Sequence, residues 1–323
     1  VGFVNGTPEG LSLGGESPTA HDSSQPSANE STDSAAETTS AVAVTTERSE
    51  AVSAEAAVTP PFLGARVLTP DAIPFEEVVG YLDRQALFAG QWQMREAKDQ
   101  SREAYEAELE AKAEPVLQAW LERIRKEGLL QPAVAYGYFP CGRDGNAVVV
   151  FSPETTAELG RFALPRQRSG NRYCIADFFN DLSNGTPTDV LPMQAVTMGE
   201  EASRFSQSLF AADAYSDYLY FHGLAVQMAE ALAEWTHARI RRECGFPDAQ
   251  GMALRDVLAQ RYRGSRYSFG YPACPNVADS RQQLEWLDAD RIGLTMDESD
   301  QLHPEQSTTA LVALHSKARY FSA

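Results

Sequence analysis

Between residues 202 and 243 the apolar positions Tyr218, Phe221, Ala225, Met228, Leu232 and Trp235 recur at steps of three and four. That spacing predicts one long helix over 202–243 with a continuous apolar face. Gly223, Val226, Glu230, Ala233 and His237 repeat the same steps. They fall nearly opposite, because two residues turn a helix by about 200°. Arg239, Arg241 and Arg242 suit the negative end of the helix dipole, and Gly245 supplies the stop. From about Gln93 to Glu127 the chain is rich in Glu, Ala, Lys, Gln and Arg, with Leu109, Leu117, Trp120, Leu121 and Ile124 interspersed. This predicts a second amphipathic helix, or a pair of them, ended by Gly128. A short helix is expected within Phe75–Phe88. Residues 133–140 and 147–152 are apolar, strand-like runs on either side of a Gly- and Asp-containing turn, which predicts a hairpin. Residues 189–198 read as a further strand in which Pro192 argues for an edge or a bulge, and Thr309–His315 reads as a last strand. Strands and helices do not alternate as in βαβ units. The expected class is therefore α+β: a single domain with a central antiparallel sheet and long flanking helices.

Residues 1–60 break this pattern. They are rich in Ser, Thr, Ala, Glu and Gly, and their only aromatic is Phe3. Such a stretch buries too little apolar surface to offset the entropy of ordering it. It is expected to be a disordered linker, with the folded domain spanning 61–323. A chain that opens on Val1 reads as a piece of a longer polypeptide. Residues 1–60 hold nine acids against Arg48, which leaves −10 of the net charge of −18 to the remainder. An acidic surface disfavours a nucleic-acid partner, whose phosphates it repels. Arginines nevertheless cluster at 161–172, 239–242 and 255–266, either as solvated ends of elements or as a local rim for an anionic ligand or acidic partner. Cys141, Cys174, Cys244 and Cys274 are widely scattered, with no CxxC pair and no zinc spacing. Scattered thiols suit a reducing cytoplasm, and no apolar run reaches the length of a membrane span.

Three stretches carry specific chemistry. The first is Arg266-Tyr-Ser-Phe-Gly-Tyr-Pro-Ala-Cys-Pro275, preceded by Gln260-Arg-Tyr-Arg-Gly264. The second is Tyr136-Gly-Tyr-Phe-Pro-Cys141, followed by Arg166-Gln-Arg168 and Cys174-Ile-Ala-Asp-Phe178. The third is Glu234-Trp-Thr-His237 with the arginines after it. In this order, and with His315-Ser-Lys-Ala-Arg-Tyr-Phe321 at the C-terminal end, the chain from about residue 77 to 323 resembles the S-adenosylmethionine-binding activation domain of cobalamin-dependent methionine synthase. The first stretch is similar to that family's RxxxGYxxCP signature.

A guanidinium at Arg266 is suited to gripping a carboxylate bidentately, and Gly270 permits unusual dihedrals and close ligand approach. The resemblance implies that Arg266 binds the methionyl carboxylate of S-adenosylmethionine. It implies further that the backbone through Tyr267, Ser268, Gly270 and Tyr271 cradles the adenosyl part. Asp83 stands where the family has an aspartate facing the ligand's ammonium, although an aspartate at a helix start also reads as a cap. The family's Trp-Thr-Pro after it is here Arg84-Gln-Ala86. Glu230 matches a family glutamate near the ligand, but unaided it reads as a solvated acid. Tyr320 and Phe321 match an aromatic pair lining the ligand, but unaided they read as core aromatics. His237 reads as a packing residue, with no DxHxxG motif to make it a cobalt ligand, and no catalytic or metal-binding side chain is expected.

The implied role is reactivation. One electron from a flavodoxin-like reductase and the methyl group of S-adenosylmethionine restore a cobalamin held mainly by a separate cobalamin-binding domain, in support of methionine biosynthesis. Such chemistry needs position and electrostatics rather than a general base, and a long tether would keep the two modules at high effective concentration. The alternative is a non-catalytic domain that senses S-adenosylmethionine or docks a reductase; a third reading is a domain that has lost its site.

Overall fold

The computed structural model describes residues 45–94, 97 and 99–323. The expectation for residues 1–44 lies outside these. The chain builds strands β1 (Gly64–Leu68), β2 (Ala133–Asp144), β3 (Ala147–Phe151), β4 (Glu158–Ala163), β5 (Asp189–Thr197), β6 (Ser265–Tyr267), β7 (Thr295–Met296), β8 (Leu302–His303) and β9 (Ser307–Ala313). The helices are α1 (Phe75–Val79), α2 (Arg102–Glu127), α3 (Glu200–Ala211), α4 (Tyr215–Glu243), α5 (Leu254–Leu258) and α6 (Ser280–Trp286). The sheet runs β4-β3-β2-β5-β9-β6 with every pair antiparallel, and β1 joins the outer edge of β2 end to end with β3. β7 and β8 form a separate small hairpin.

Both faces of the sheet are covered, and side-chain parity assigns each residue to a face. On β2, Val134, Tyr136 and Tyr138 pack toward α2 and α4 with Leu117, Leu121, Phe221 and Leu232. Ala135, Phe139 and Cys141 face a second core with Met193, Phe178 and Leu311. α2 begins at Ser101, whose hydroxyl accepts the Ala104 N–H at 3.3 Å, and ends at Gly128 with φ 66°. Its start is thus later than Gln93, at the residue whose hydroxyl satisfies a terminal donor. α4 comes close to the segment before α2 because Gly223 has no side chain: a Cβ there would sit 2.7 Å from that of Gln91.

Three expectations change. The single helix over 202–243 is two, folded back on one another. Asp213 takes φ 56° at the break, and the Phe205 and Phe221 rings meet edge to face at 4.7 Å. In one straight helix those residues would be about 24 Å apart. The β5 strand is central, not an edge. Pro192 pairs with Tyr138 of β2, while β9 pairs with β5 only from Met193 to Thr197, so the missing donor lies beyond the β9 ladder. The linker expected through residue 60 differs as well, because residues 45–60 lie against the domain. Val52 is buried in the second core, the Arg48 guanidinium donates to the carbonyls of Asp177 and Phe179, and His315 Nε2 meets the Ser53 carbonyl at 2.8 Å. Main-chain carbonyls, the Glu55 carboxylate and the apolar side chains of Val52 and Val58 order this segment through partners distant in sequence, which its composition does not show.

Candidate functional site

β6 alternates across the sheet, so neighbouring residues go to opposite faces. Tyr267 turns into the second core, where its hydroxyl donates to the Arg319 carbonyl at 2.8 Å and its ring stacks on Phe178. Arg266 turns toward α4. There α4 presents Glu230, Glu234, His237 and Arg241 on one face, at helical steps of four, three and four.

These side chains form a polar cluster, buried at Glu234, His237 and Arg241 and open to solvent at Glu230. Arg266 Nη2 lies 3.3 Å from Glu230 Oε2 and 3.6 Å from Glu234 Oε2. The Tyr262 hydroxyl donates to Glu234 Oε2 at 3.1 Å. Arg241 grips Asp248 with two bonds of 2.6 and 2.7 Å, lies 3.6 Å from Glu234 Oε1 and stacks over the Tyr262 ring. His237 is fully buried, edge-on to Tyr262. Burial works against the Arg266 charge, but Glu234 and then Glu230 outweigh it and hold its pKa above the ordinary value. Burial, helped by Arg241 and Arg266, keeps the His237 pKa well below the usual imidazole range, so the ring is neutral. Burial and then Glu234 push the Tyr262 phenol up, leaving it a donor.

The cluster is incompletely paired. Arg266 Nη1, Arg241 Nη1, Glu234 Oε1 and both His237 nitrogens are buried without a hydrogen-bond partner among the described residues. A buried donor without a partner is costly. Arg266 Nη1 in particular offers a guanidinium edge that an incoming carboxylate would satisfy.

The loop after β6 sits beside this edge. Gly270 takes φ +93°, a conformation that favours glycine, and its N–H donates to the Cys274 carbonyl at 3.0 Å. The Cys274 thiol donates to the Ser268 carbonyl at 2.9 Å, and burial, then Asp279, push its pKa to about 12. The Tyr271 phenol is pushed up first by burial and next by Glu230 and Tyr320, which places these groups within electrostatic reach of one another.

The structure therefore pairs Glu230 with Arg266 and sets Tyr271 within electrostatic reach of Glu230, Arg266 and Tyr320, while Ser268 and Gly270 lie on the loop that follows Arg266 and bond to Cys274. Phe321 turns its ring away into the second core, against Tyr173 and Tyr267. The Tyr267 side chain is likewise committed to packing, so only its backbone is available to a ligand. Asp83 accepts the Ala86 N–H at 2.9 Å, which is the cap reading. Glu234, Arg241 and Tyr262 were missed as site residues. The signal for the first two was in the sequence, since they continue the helical steps of Glu230 and His237. A cavity of about 490 Å³ lies elsewhere, between residues 45–51 and Arg166, Asn171 and Arg172. Side-chain chemistry, not volume, marks the Arg266 site.

Comparison with known proteins gives the family and the fold. A family model described as the activation domain of vitamin B12 dependent methionine synthase matches residues 74–323. The methionine synthase of Mycobacterium tuberculosis (strain ATCC 25618 / H37Rv) is 42% identical over 288 residues, covering 85% of this chain and 24% of that protein. That of Mycobacterium leprae (strain TN) is 42% identical over the same length and shares. The chain thus spans about a quarter of the length of these relatives. A crystal structure of the MetH reactivation domain bound to AdoHcy superposes with a TM-score of 0.72 at 22% identity, covering 83% of each chain. At that identity the match shows the fold.

Proposed function

Because the chain belongs to the activation-domain family of vitamin B12 dependent methionine synthase, we propose that it binds S-adenosylmethionine at Arg266 and presents it to a cobalamin-binding domain. The observation that carries this reading is the buried, unpartnered Nη1 of Arg266. A ligand carboxylate satisfies that donor, and the Gly270 backbone at φ +93° lets the adenosyl part approach the chain closely. Glu230, partly exposed beside Arg266, complements the positive charge of a sulfonium ligand. Asp83, with one oxygen given to its helix cap, is assigned to the ligand's ammonium, and Tyr271 and Tyr320 flank the site.

Bound S-adenosylmethionine supplies an already activated methyl group for a reduced cobalamin. The part of this chain is to hold the donor, exclude water and orient it; no general base is required. His237 is buried behind Glu234 and donates nothing to a docked cofactor. The partners in this reading are the cobalamin-binding domain of the same enzyme and a flavodoxin-like reductase, in the cytoplasm. Among the described residues no helix is long and apolar enough to cross a membrane.

Calorimetric titration of the chain with S-adenosylmethionine, and with S-adenosylhomocysteine for comparison, tests the reading. Saturable one-site binding is expected, tighter for the sulfonium. No binding, alone or with a cobalamin-binding domain present, would overturn it.

A further inference from the structure

Residues 45–60 form no helix or strand, yet they tie together parts of the chain that are far apart in sequence. The Asn180 side chain donates to the Glu55 carbonyl at 3.0 Å, and the Ser49 hydroxyl donates to the Asn171 carbonyl at 2.5 Å. Most of the convergence falls on the Glu55 carboxylate. It accepts from the Ser316 backbone N–H at 3.3 and 3.4 Å and from the Ser316 hydroxyl, and it pairs with the Arg263 guanidinium. His315 Nε2 lies 3.6 Å away. Arg263 in turn donates from Nε to the Leu314 carbonyl at 2.8 Å and stacks over Phe246. Burial alone would raise the Glu55 pKa, but the Ser316 bonds, with His315 and Arg263, hold it below the ordinary carboxylate value. The Glu55 carboxylate is therefore ionised and engaged at neutral pH.

The two segments that Glu55 holds are those that carry the candidate site. Arg263 lies three residues before Arg266, in the stretch that runs through Gly270 and Tyr271, and Ser316 lies four residues before Tyr320. The first segment also pairs with the strand that leads into the second, where Ser265 meets Ala313 at the end of the short β6–β9 ladder. Three residues of pairing leave a strand end that needs outside support. Glu55 gives that support from a segment that precedes residues 74–323, the stretch the family model matches.

We propose that Glu55 is a positioning residue. It clamps the Arg263–Tyr271 loop to the 315–321 segment, so that the seating of residues 45–60 on the domain sets the ligand affinity of the Arg266 site. The affinity part of this proposal rests on the S-adenosylmethionine reading; the clamp does not. Upstream chain that pulls residues 45–60 away would loosen both ligand-bearing segments at once, which couples the attachment of this domain to its ligand site.

The test uses the full chain with Glu55→Ala and Glu55→Gln, and reads amide hydrogen exchange together with S-adenosylmethionine titration. In Glu55→Ala, exchange in 263–271 and 315–321 rises by about tenfold, the scale of losing a charge-assisted hydrogen bond. Residues 133–151, in the β2–β3 hairpin, keep their protection. Ligand affinity falls about fivefold, the low end of coupling between sites. Glu55→Gln, which still accepts from Ser316 but loses the ion pair, falls between Glu55→Ala and wild type in both readouts. Unchanged exchange in the two segments, or faster exchange everywhere including the hairpin, overturns the clamp. Local loosening with unchanged affinity overturns the coupling. Wild-type chain that fails to bind S-adenosylmethionine defeats the ligand reading, while the exchange pattern still decides the clamp.

Discussion

Two arginine–carboxylate networks are buried in this domain, one against the second core and one between α4 and β6, and they differ in how completely they are paired. Arg166 and Asp177 form a closed net. Two bonds of 2.6 and 2.7 Å join them, Asn146 takes further Arg166 donors at 2.8 and 3.1 Å, and the Arg172 carbonyl takes another at 2.7 Å. Asp177 also accepts the backbone N–H groups of Ser49 and Cys174. Only at its rim does Arg143 keep an unpaired Nε, 3.5 Å from Asp177. The Glu234–Arg266 cluster is open: its contacts to Arg266 are 3.3 and 3.6 Å, and it holds several unpartnered buried atoms. A closed buried network rigidifies a fold, while an open one leaves desolvated charge that a ligand can complete. The first reads as architecture and the second as a binding site.

That contrast can be broken by mutation. Asp177→Ala should have the largest effect. It strands the Arg166 guanidinium in the core, at a cost of about 3–5 kcal/mol of stability, seen as a lower denaturant midpoint. A loss below about 1 kcal/mol would mean that the net is not closed in solution.

The next effect is in pH. Burial depresses the His237 pKa from its ordinary 6.5, so below about pH 6.5 the unfolded chain takes up a proton that the folded chain refuses. Stability is therefore complete above that pH and falls as pH drops, by up to about 1.4 kcal/mol per pH unit. Denaturation curves between pH 7 and 5 should show this slope, and His237→Leu should lack it. An equal slope in both proteins would contradict the neutral, buried ring.

A smaller change is expected from Glu234→Gln. The amide still accepts from Tyr262 but no longer balances Arg266, so S-adenosylmethionine binding should weaken by about 1 kcal/mol with little loss of stability. Unchanged affinity would place the organising charge at Glu230 instead.

The smallest effect is kinetic. Cys174 and Cys244 are buried, and burial lifts each thiol to about 11. Thiol reagents at neutral pH should modify them only at the rate of local opening; prompt labelling of the folded chain would contradict this.

Much of the architecture was legible because it rests on periodicity. The α4 faces, the β2–β3 hairpin and the Gly128 stop all follow from local patterns. The break at Asp213 did not, since no glycine or proline marks it; the turn is set by Phe205 packing on Phe221. Residues 45–60 were read as linker because their order comes from distant partners. At the site, Arg266, Glu230, Gly270 and Tyr271 were legible through motif chemistry, and the structure sets Arg266 Nη2 3.3 Å from Glu230. Phe321 was not, because its ring is claimed by the second core and its motif position does not show which face it takes. Tyr262 lies on a loop with no period at all, and only the fold brings it to Glu234.

The most direct test compares S-adenosylmethionine binding to the wild-type chain and to Arg266→Ala by calorimetry, with melting curves of both. The account predicts that the variant loses about 2–5 kcal/mol of binding, more than roughly 30-fold in Kd, while its melting temperature stays near that of the wild type. Equal affinity in the two proteins, or loss of binding only together with loss of the fold, would contradict the assignment of the open network as the ligand site.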